Sequence, residues 1–146
     1  MEINANLDLL KKELNQSIAN LQKWKKKDKS KATFSITYGG IVSGLTTIFI
    51  GLSSYLSNYA KLFGIIALIT SASLTIVQTW DGLFNHKKLW IIQAEALNEF
   101  YELRGDLSHL EASGKIDQEA INSCYEKYKQ IYRRWNSSWS ELRNKG

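Results

Sequence analysis

The 146-residue, 16.7 kDa chain is long enough for one ordinary domain, and its 9 Gly and 0 Pro leave little material for turns, linkers or a strand-rich fold, which favours an all-helical protein. With 44% hydrophobic residues it is not disordered, but its mean hydropathy of -0.28 conceals a segregation: no charged residue occurs from Ala32 to Ala60, and none again from Leu62 to Trp80. The net charge of +5 is equally uneven, since residues 1–31 carry eight lysines against four acids, whereas ten acids and ten bases follow Trp80. The excess sits in Lys23, Lys25, Lys26, Lys27, Lys29 and Lys31, directly before the first apolar stretch. A basic collar there reads as a topology and headgroup signal before it reads as a phosphate groove. Membrane lipid is therefore the favoured partner, and nucleic acid the disfavoured one, because only Trp24 interleaves the lysines as a stacking surface.

In chain order, residues 1–31 form an amphipathic N-terminal helix with the basic collar at its end. Ile3, Leu7, Leu10, Leu14, Ile18, Leu21 and Trp24 recur at spacings of three and four, with Ser17 the polar interruption. Such a narrow stripe needs a partner helix, and the chain's own C-terminal helices are the expected one. Met1-Glu2-Ile3-Asn4 lacks the basic start of a cleavable signal, so the first apolar stretch is expected to be retained.

Residues 32–80 read as a transmembrane hairpin, with spans at about 32–56 and 62–80 and a turn at Ser57-Asn58-Tyr59-Ala60-Lys61. Each stretch approaches the roughly 20 residues that cross a bilayer core. Tyr38, Tyr55, Tyr59 and Trp80 lie near the span boundaries, where amphipathic rings prefer to sit. The six lysines before the first span, with Lys87 and Lys88 after the second, face a single Lys61 in the turn. That bias is expected to place both termini of a multi-pass membrane protein in the cytoplasm.

Residues 81–146 return to a helical pattern and complete a cytoplasmic amphipathic bundle. A helix over about 82–111 carries Leu83, Trp90, Leu97 and Arg104 at heptad spacing, with Phe100 and Leu107 beside them. Ser113-Gly114-Lys115 breaks it, and Ile116-Asp117 serves as staple and N-cap of a helix over about 117–143. On that last helix Ile121, Tyr128, Trp135 and Leu142 form one line, flanked by Tyr125, Tyr132 and Trp139. This aromatic face is expected to receive the N-terminal helix.

No residue constellation points to an enzyme. Cys124 is the only cysteine, which excludes an intrachain disulfide, and His86 and His109 lie at no metal-ligand spacing, so neither metal nor cofactor is expected. No Gly-rich phosphate loop or nucleophile elbow is present. The informative residues lie inside the spans. Gly40 and Gly44 form a G-x-x-x-G, with Gly51 one heptad on, a face suited to close helix packing within the hairpin or between subunits. In the second span Gly64, Ala67, Ser71, Thr75 and Gln78 recur at three and four, a weakly polar stripe that must face protein or water. It either packs the hairpin or, in an oligomer, makes Ser71, Thr75 and Gln78 pore-lining; two helices alone cannot enclose a channel.

This arrangement resembles the SLATT domains, small two-transmembrane effectors associated with bacterial nucleotide second-messenger and conflict systems. The resemblance rests on the helix ending in Trp24-Lys25-Lys26-Lys27, the Gly- and Ser/Thr-rich hairpin from about Thr33 to Trp80, and Leu83-Phe84 through Trp90 to Ala94-Glu95-Ala96-Leu97 with Phe100-Tyr101 after it. It implies a membrane effector that oligomerises and permeabilises the inner membrane when an invader is sensed. The chain departs from the family in that neither a fused sensor domain nor a nucleotide-binding motif is expected, so its trigger is expected from a separately encoded regulatory partner or signal-generating enzyme, or from ligand binding. Two other functions fit the same hairpin: a non-toxic membrane anchor or adaptor that recruits a cytoplasmic partner, and a holin-like lysis protein.

Overall fold

A computed structural model describes residues 2–114 and 116–144, and the side chains of residues 2–4 fall outside that description, Ile3 of the N-terminal stripe among them. The protein is all-helical. Helix α1 runs over Glu2–Tyr55, a single 3-10 turn over Ser57–Tyr59, α2 over Ala60–Phe84, α3 over His86–Ala112 and α4 over Gln118–Asn144. The collar does not interrupt α1: between Trp24 and Ala32 there is no Gly or Pro, and lysine is a good helix former, so the amphipathic segment and the first apolar segment are one helix of 54 residues.

Each helix end has a local cause. Leu56 leaves helical geometry at φ -108°, ψ 75°, and the 3-10 turn closes with the Tyr59 N–H donating to the Leu56 carbonyl at 2.9 Å. Helix α2 continues past Trp80 to Phe84, where Asn85 takes the left-handed conformation at φ 49° and donates its N–H to the Asp81 carbonyl at 2.7 Å. The heptad count that began α3 near Gly82 is thereby corrected. Leu83 closes α2, is more than half exposed, and plays no part in the α3 stripe. After α3 the left-handed Gly114 makes the turn, while Lys115, the third residue of the expected break, lies outside the described residues. Asp117 caps α4 as its sequence suggests, its carboxylate accepting from the Ala120 N–H at 2.7 Å.

The chain forms two compact units. The bundle unit joins α1 up to Asp28 with α3 and α4 from Lys87 onward; the hairpin unit runs from Lys29 to His86. The bundle core is built from Leu7, Leu10, Leu14, Ile18 and Leu21 of α1, Ala96, Leu97, Phe100, Leu103 and Leu107 of α3, and Ile121, Cys124 and Ile131 of α4. On α3 the buried line uses Leu103, not Arg104, whose guanidinium lies outside over the Tyr101 ring at 5.0 Å. On α4 the aromatic line holds in part. Tyr128 and Trp135 pack against the core, but Cys124 and Ile131 reach deeper, and Tyr125 and Tyr132 remain largely exposed.

The α4 aromatics do receive the N-terminal helix. Trp24 stacks on Trp135 with ring centroids 5.6 Å apart, and Ser17, the polar break in the stripe, shares a 3.0 Å hydrogen bond with the Tyr128 hydroxyl. Gln93, buried on α3, donates to the Asp28 carboxylate at 2.8 Å, and Lys11 pairs with Glu111 at 2.6 Å. The latter is a surface pair of the kind that contributes about 0–1 kcal/mol. The core, not the ion pairs, holds this unit together.

Candidate functional site

The hairpin unit places two apolar helical segments antiparallel, and its seam is made of small and hydroxyl-bearing side chains. Ala32, Ser35 and Val42 of α1 and Ala67 of α2 are buried there. At mid-hairpin the Thr46 hydroxyl bonds to Thr70 Oγ1 at 2.8 Å, and nearer the open end the Tyr38 hydroxyl donates to Ser73 Oγ at 2.9 Å. The same hydroxyls also reach their own helices: Thr46 to the Val42 carbonyl at 2.8 Å, Thr70 to the Ile66 carbonyl at 3.0 Å, and Ser73 to the Thr70 carbonyl at 2.8 Å. Back-bonding of this kind lets a hydroxyl sit in an apolar segment without an unsatisfied proton. Toward the turn the seam becomes aromatic, with Phe49 stacked on Phe63 at 6.1 Å and Tyr59 edge-on to Phe63 at 6.4 Å.

The sequence-derived residues distribute differently around this seam. A Cβ on Gly40, Gly44 or Gly51 would meet nothing within 4 Å, so these three glycines face away from α2. Gly39 takes the inner position instead, its missing Cβ lying 3.8 Å from Leu74 Cδ1 and 3.9 Å from Gln78 Nε2. The polar stripe of α2 also divides. Ala67 is buried in the seam, while Ser71, Thr75 and Gln78 are exposed, the Thr75 hydroxyl donating to the Ser71 carbonyl at 3.1 Å and the Gln78 amide reaching toward Gly39. Ser71, Thr75 and Gln78 thus share an exposed face of α2.

At the open end Lys31 places its ammonium 5.7 Å from the Trp80 ring centroid, a cation over an indole face. Trp80, Phe84 and the buried His86 form a cluster, with centroids 5.0 Å apart between Trp80 and His86 and 5.7 Å between Phe84 and His86. Of the other flanking lysines, Lys23, Lys26, Lys27, Lys29, Lys87 and Lys88 are exposed and Lys25 is half-buried. Asp81, in the last turn of α2, has a buried Oδ1 with no hydrogen-bond partner among the described residues.

Sequence reasoning missed Tyr38, Thr46, Thr70 and Ser73. Thr46 meets Thr70 directly across the hairpin, whereas Tyr38, eight residues away on α1, reaches Ser73, only three residues from Thr70 on α2, through its long side chain, so no single residue-to-residue register announces both pairs. Among the described residues no group of three His, Cys, Asp or Glu side chains could hold a metal ion. In the bundle, burial pushes the Cys124 thiol up, opposed by the Lys127 charge and aided by Asp106.

Two helices, within Ala5–Tyr55 and Ser57–Ala112, are long and apolar enough to cross a membrane. Comparison with protein-family models, curated proteins and solved structures found no match, so the residues themselves carry the functional argument.

Proposed function

We propose that the protein is a two-span membrane effector of a bacterial conflict or antiviral defence system. Its hairpin crosses the inner membrane, both termini remain cytoplasmic, and subunits gather to permeabilise the bilayer when a separately encoded partner or signal releases them. The observation that carries this reading is the apolar surface left uncovered: only 11% and 6% of the residues in the two most apolar helical windows are buried. A core helix of a soluble protein buries most of such a window, whereas a membrane span leaves it for lipid. The hydroxyl pairs Thr46–Thr70 and Tyr38–Ser73 across the seam, and the bonds of the exposed Thr47 and Thr75 hydroxyls to carbonyls of their own helices, support the same reading, because lipid cannot satisfy a hydroxyl. Orientation rests on the lysine asymmetry, and the effector role on the resemblance to the SLATT domains.

Within this proposal the outward glycines Gly40, Gly44 and Gly51 let a neighbouring subunit approach, and Ser71, Thr75 and Gln78 wet the passage between subunits. The test has two arms. Carbonate-resistant fractionation and cysteine labelling at position 58 and at both termini report insertion and topology; termini labelled from outside overturn the orientation. In induced cells the variant combining Ser71→Ala, Thr75→Val and Gln78→Leu should insert normally and abolish membrane depolarisation. Undiminished depolarisation would show that those side chains do not line a passage. A wild-type chain that inserts yet neither depolarises nor harms cells would favour the anchor or adaptor role.

A further inference from the structure

The bundle sorts charges that are mixed along the sequence. Helix α4 runs parallel to α1, because Asn6 meets Gln118, Ser17 meets Tyr128 and Trp24 stacks on Trp135, a steady offset of 111 or 112 residues. Helix α3 runs the other way, with Glu111 beside Lys11, Tyr101 beside Gln22 and Gln93 beside Asp28. One end of the bundle is therefore made of residues 21–28, 87–101 and 132–144, which carry nine Lys or Arg against four Asp or Glu. The other end, residues 5–20, 102–112 and 117–131, carries eight Asp or Glu against five Lys or Arg. The segment after Trp80, neutral in sum, thus sends most of its bases to one end and most of its acids to the other.

The ends also differ in how their cations are held. At the acidic end Lys11, Lys127 and Lys129 each pair with a carboxylate. At the basic end Lys26, Lys27, Lys87, Lys88, Arg133 and Arg143 are exposed, and none is in an ion pair with a described residue. Arg143 lies instead over the Trp139 ring, 4.8 Å from its centroid, in the last turns of α4. The offset between α1 and α4 sets Trp139 level with Asp28, where α1 leaves the bundle, and the chain rejoins the bundle at Lys87 of the same end.

We propose that this basic end docks on an anionic phospholipid surface, where the lysines of α1 and α3 and the α4 pair Trp139 and Arg143 meet the headgroups together. The proposal rests on the membrane reading of the hairpin: both crossings into the bilayer then leave from this end, and acidic headgroups are the polyanion nearest to its uncompensated charge. The α4 pair suits that plane, since an indole settles at headgroup level and a guanidinium can hold a phosphate through two hydrogen bonds. The last turns of α4 become a third membrane contact beside the two spans.

The full chain is reconstituted in phosphatidylcholine vesicles with a trace of spin-labelled phosphatidylglycerol or spin-labelled phosphatidylcholine, and the fraction of each label that the protein immobilises is compared. Phosphatidylglycerol should be preferred several-fold at low salt and fall toward parity near 1 M salt, where the Debye length is about 3 Å. Arg133→Gln combined with Arg143→Gln should lower the preference at least ~2-fold. Lys12→Gln combined with Lys127→Gln, the same charge change at the acidic end, should leave it unaltered, with both variants keeping the parent's helical circular dichroism. Parity of the two lipids in the wild-type chain, full preference in the α4 variant, or equal losses in both variants overturns the proposal. So does a single-stranded oligonucleotide that binds the inserted chain and removes the preference. Carbonate extraction of the same vesicles separates the two readings: parity in a chain that resists extraction removes this proposal alone, whereas a chain that is extracted removes the membrane reading with it.

Discussion

The two units use the same apolar residue types in opposite ways. In the bundle Leu14 and Leu21 are buried and Phe100 is 0% exposed; in the hairpin Leu68 is 72% and Ile76 70% exposed. The polar groups are inverted with them. Charges line the outside of the bundle, as in the pairs Lys11–Glu111 and Lys127–Asp106, whereas the hairpin turns Thr46, Thr70 and Ser73 inward and exposes Leu, Ile and Phe. A helix that is apolar on one stripe packs against protein in water, while one that is apolar all round asks for a different solvent. The contrast teaches that one chain is specified for two environments, and each environment offers its own test.

The largest effect is expected at Phe100. Phe100→Ala removes a ring that touches all three core segments, and losses of this kind cost about 3–5 kcal/mol. Hydrogen exchange in micelles should show the amides of α3 and α4 losing protection while those of residues 29–86 keep theirs. Simultaneous loss in both units would show that they fold as one.

The next test sets two exposed leucines against each other. Leu9 is 56% exposed in the bundle and Leu68 72% in the hairpin. If water covers Leu9 and lipid covers Leu68, Leu9→Arg should change stability by no more than about 0.5 kcal/mol. Leu68→Arg should then cost about 2.5–3.5 kcal/mol in membrane insertion, read from the inserted fraction in a glycosylation-reporter assay. Equal and negligible effects would remove the distinction between the units and, with it, the proposed membrane role.

A smaller effect is expected inside the hairpin, where Thr46 and Thr70 meet at 2.8 Å. A cycle of Thr46→Val, Thr70→Val and the double variant, followed by unfolding in mixed micelles, should return a coupling near ~0.6 kcal/mol, the average for hydrogen bonds between membrane helices. The figure is modest because each hydroxyl retains a carbonyl on its own helix when the partner is removed. No coupling would mean that the seam is held by the packing of Val42 and Ala67 alone.

How much of this was readable beforehand depends on whether periodicity or pairing decides the outcome. The α1 stripe from Leu7 to Leu21 was legible because polar residues separate its members and leave one consistent frame. On α3 the counted frame found Leu97, Phe100 and Leu107, which are buried, but it began at Leu83, where Asn85 has not yet ended α2, and took Arg104 where Leu103 is the buried residue. On α4 the large rings drew attention from Cys124 and Ile131, smaller side chains that fit closer to the centre. In the hairpin, periodicity is a weak guide because small and hydroxyl-bearing residues occur on both the inner and the outer faces. The inner position of Gly39, and the outer positions of Gly40 and Gly44, depend on the antiparallel register with α2, which composition does not encode.

The smallest expected effect is a titration confined to the bundle. Cys124 is buried in its core, and desolvation raises the thiol pKa, since a thiolate there would lose its water. An unfolded chain releases this proton above about pH 8.5, the ordinary thiol value, whereas the folded bundle holds it. The unfolded state therefore binds fewer protons over that interval, and stability is full below about pH 8.5 and falls as pH rises toward the raised folded value, by at most ~1.4 kcal/mol per pH unit from this one group. Lys127 moderates the shift by favouring the thiolate, and Asp106 reinforces it, so Lys127→Gln should steepen the alkaline loss and Asp106→Asn should soften it. Cys124→Ala removes the titrating group at the cost of a small cavity. Chemical denaturation between pH 7.5 and 9.5, read on the amides of α3 and α4, should then show a flatter pH dependence from a lower starting stability, with the hairpin amides unmoved in both proteins. An unchanged alkaline slope in Cys124→Ala would mean that water reaches the thiol and that the bundle core is looser around α4 than its packing implies.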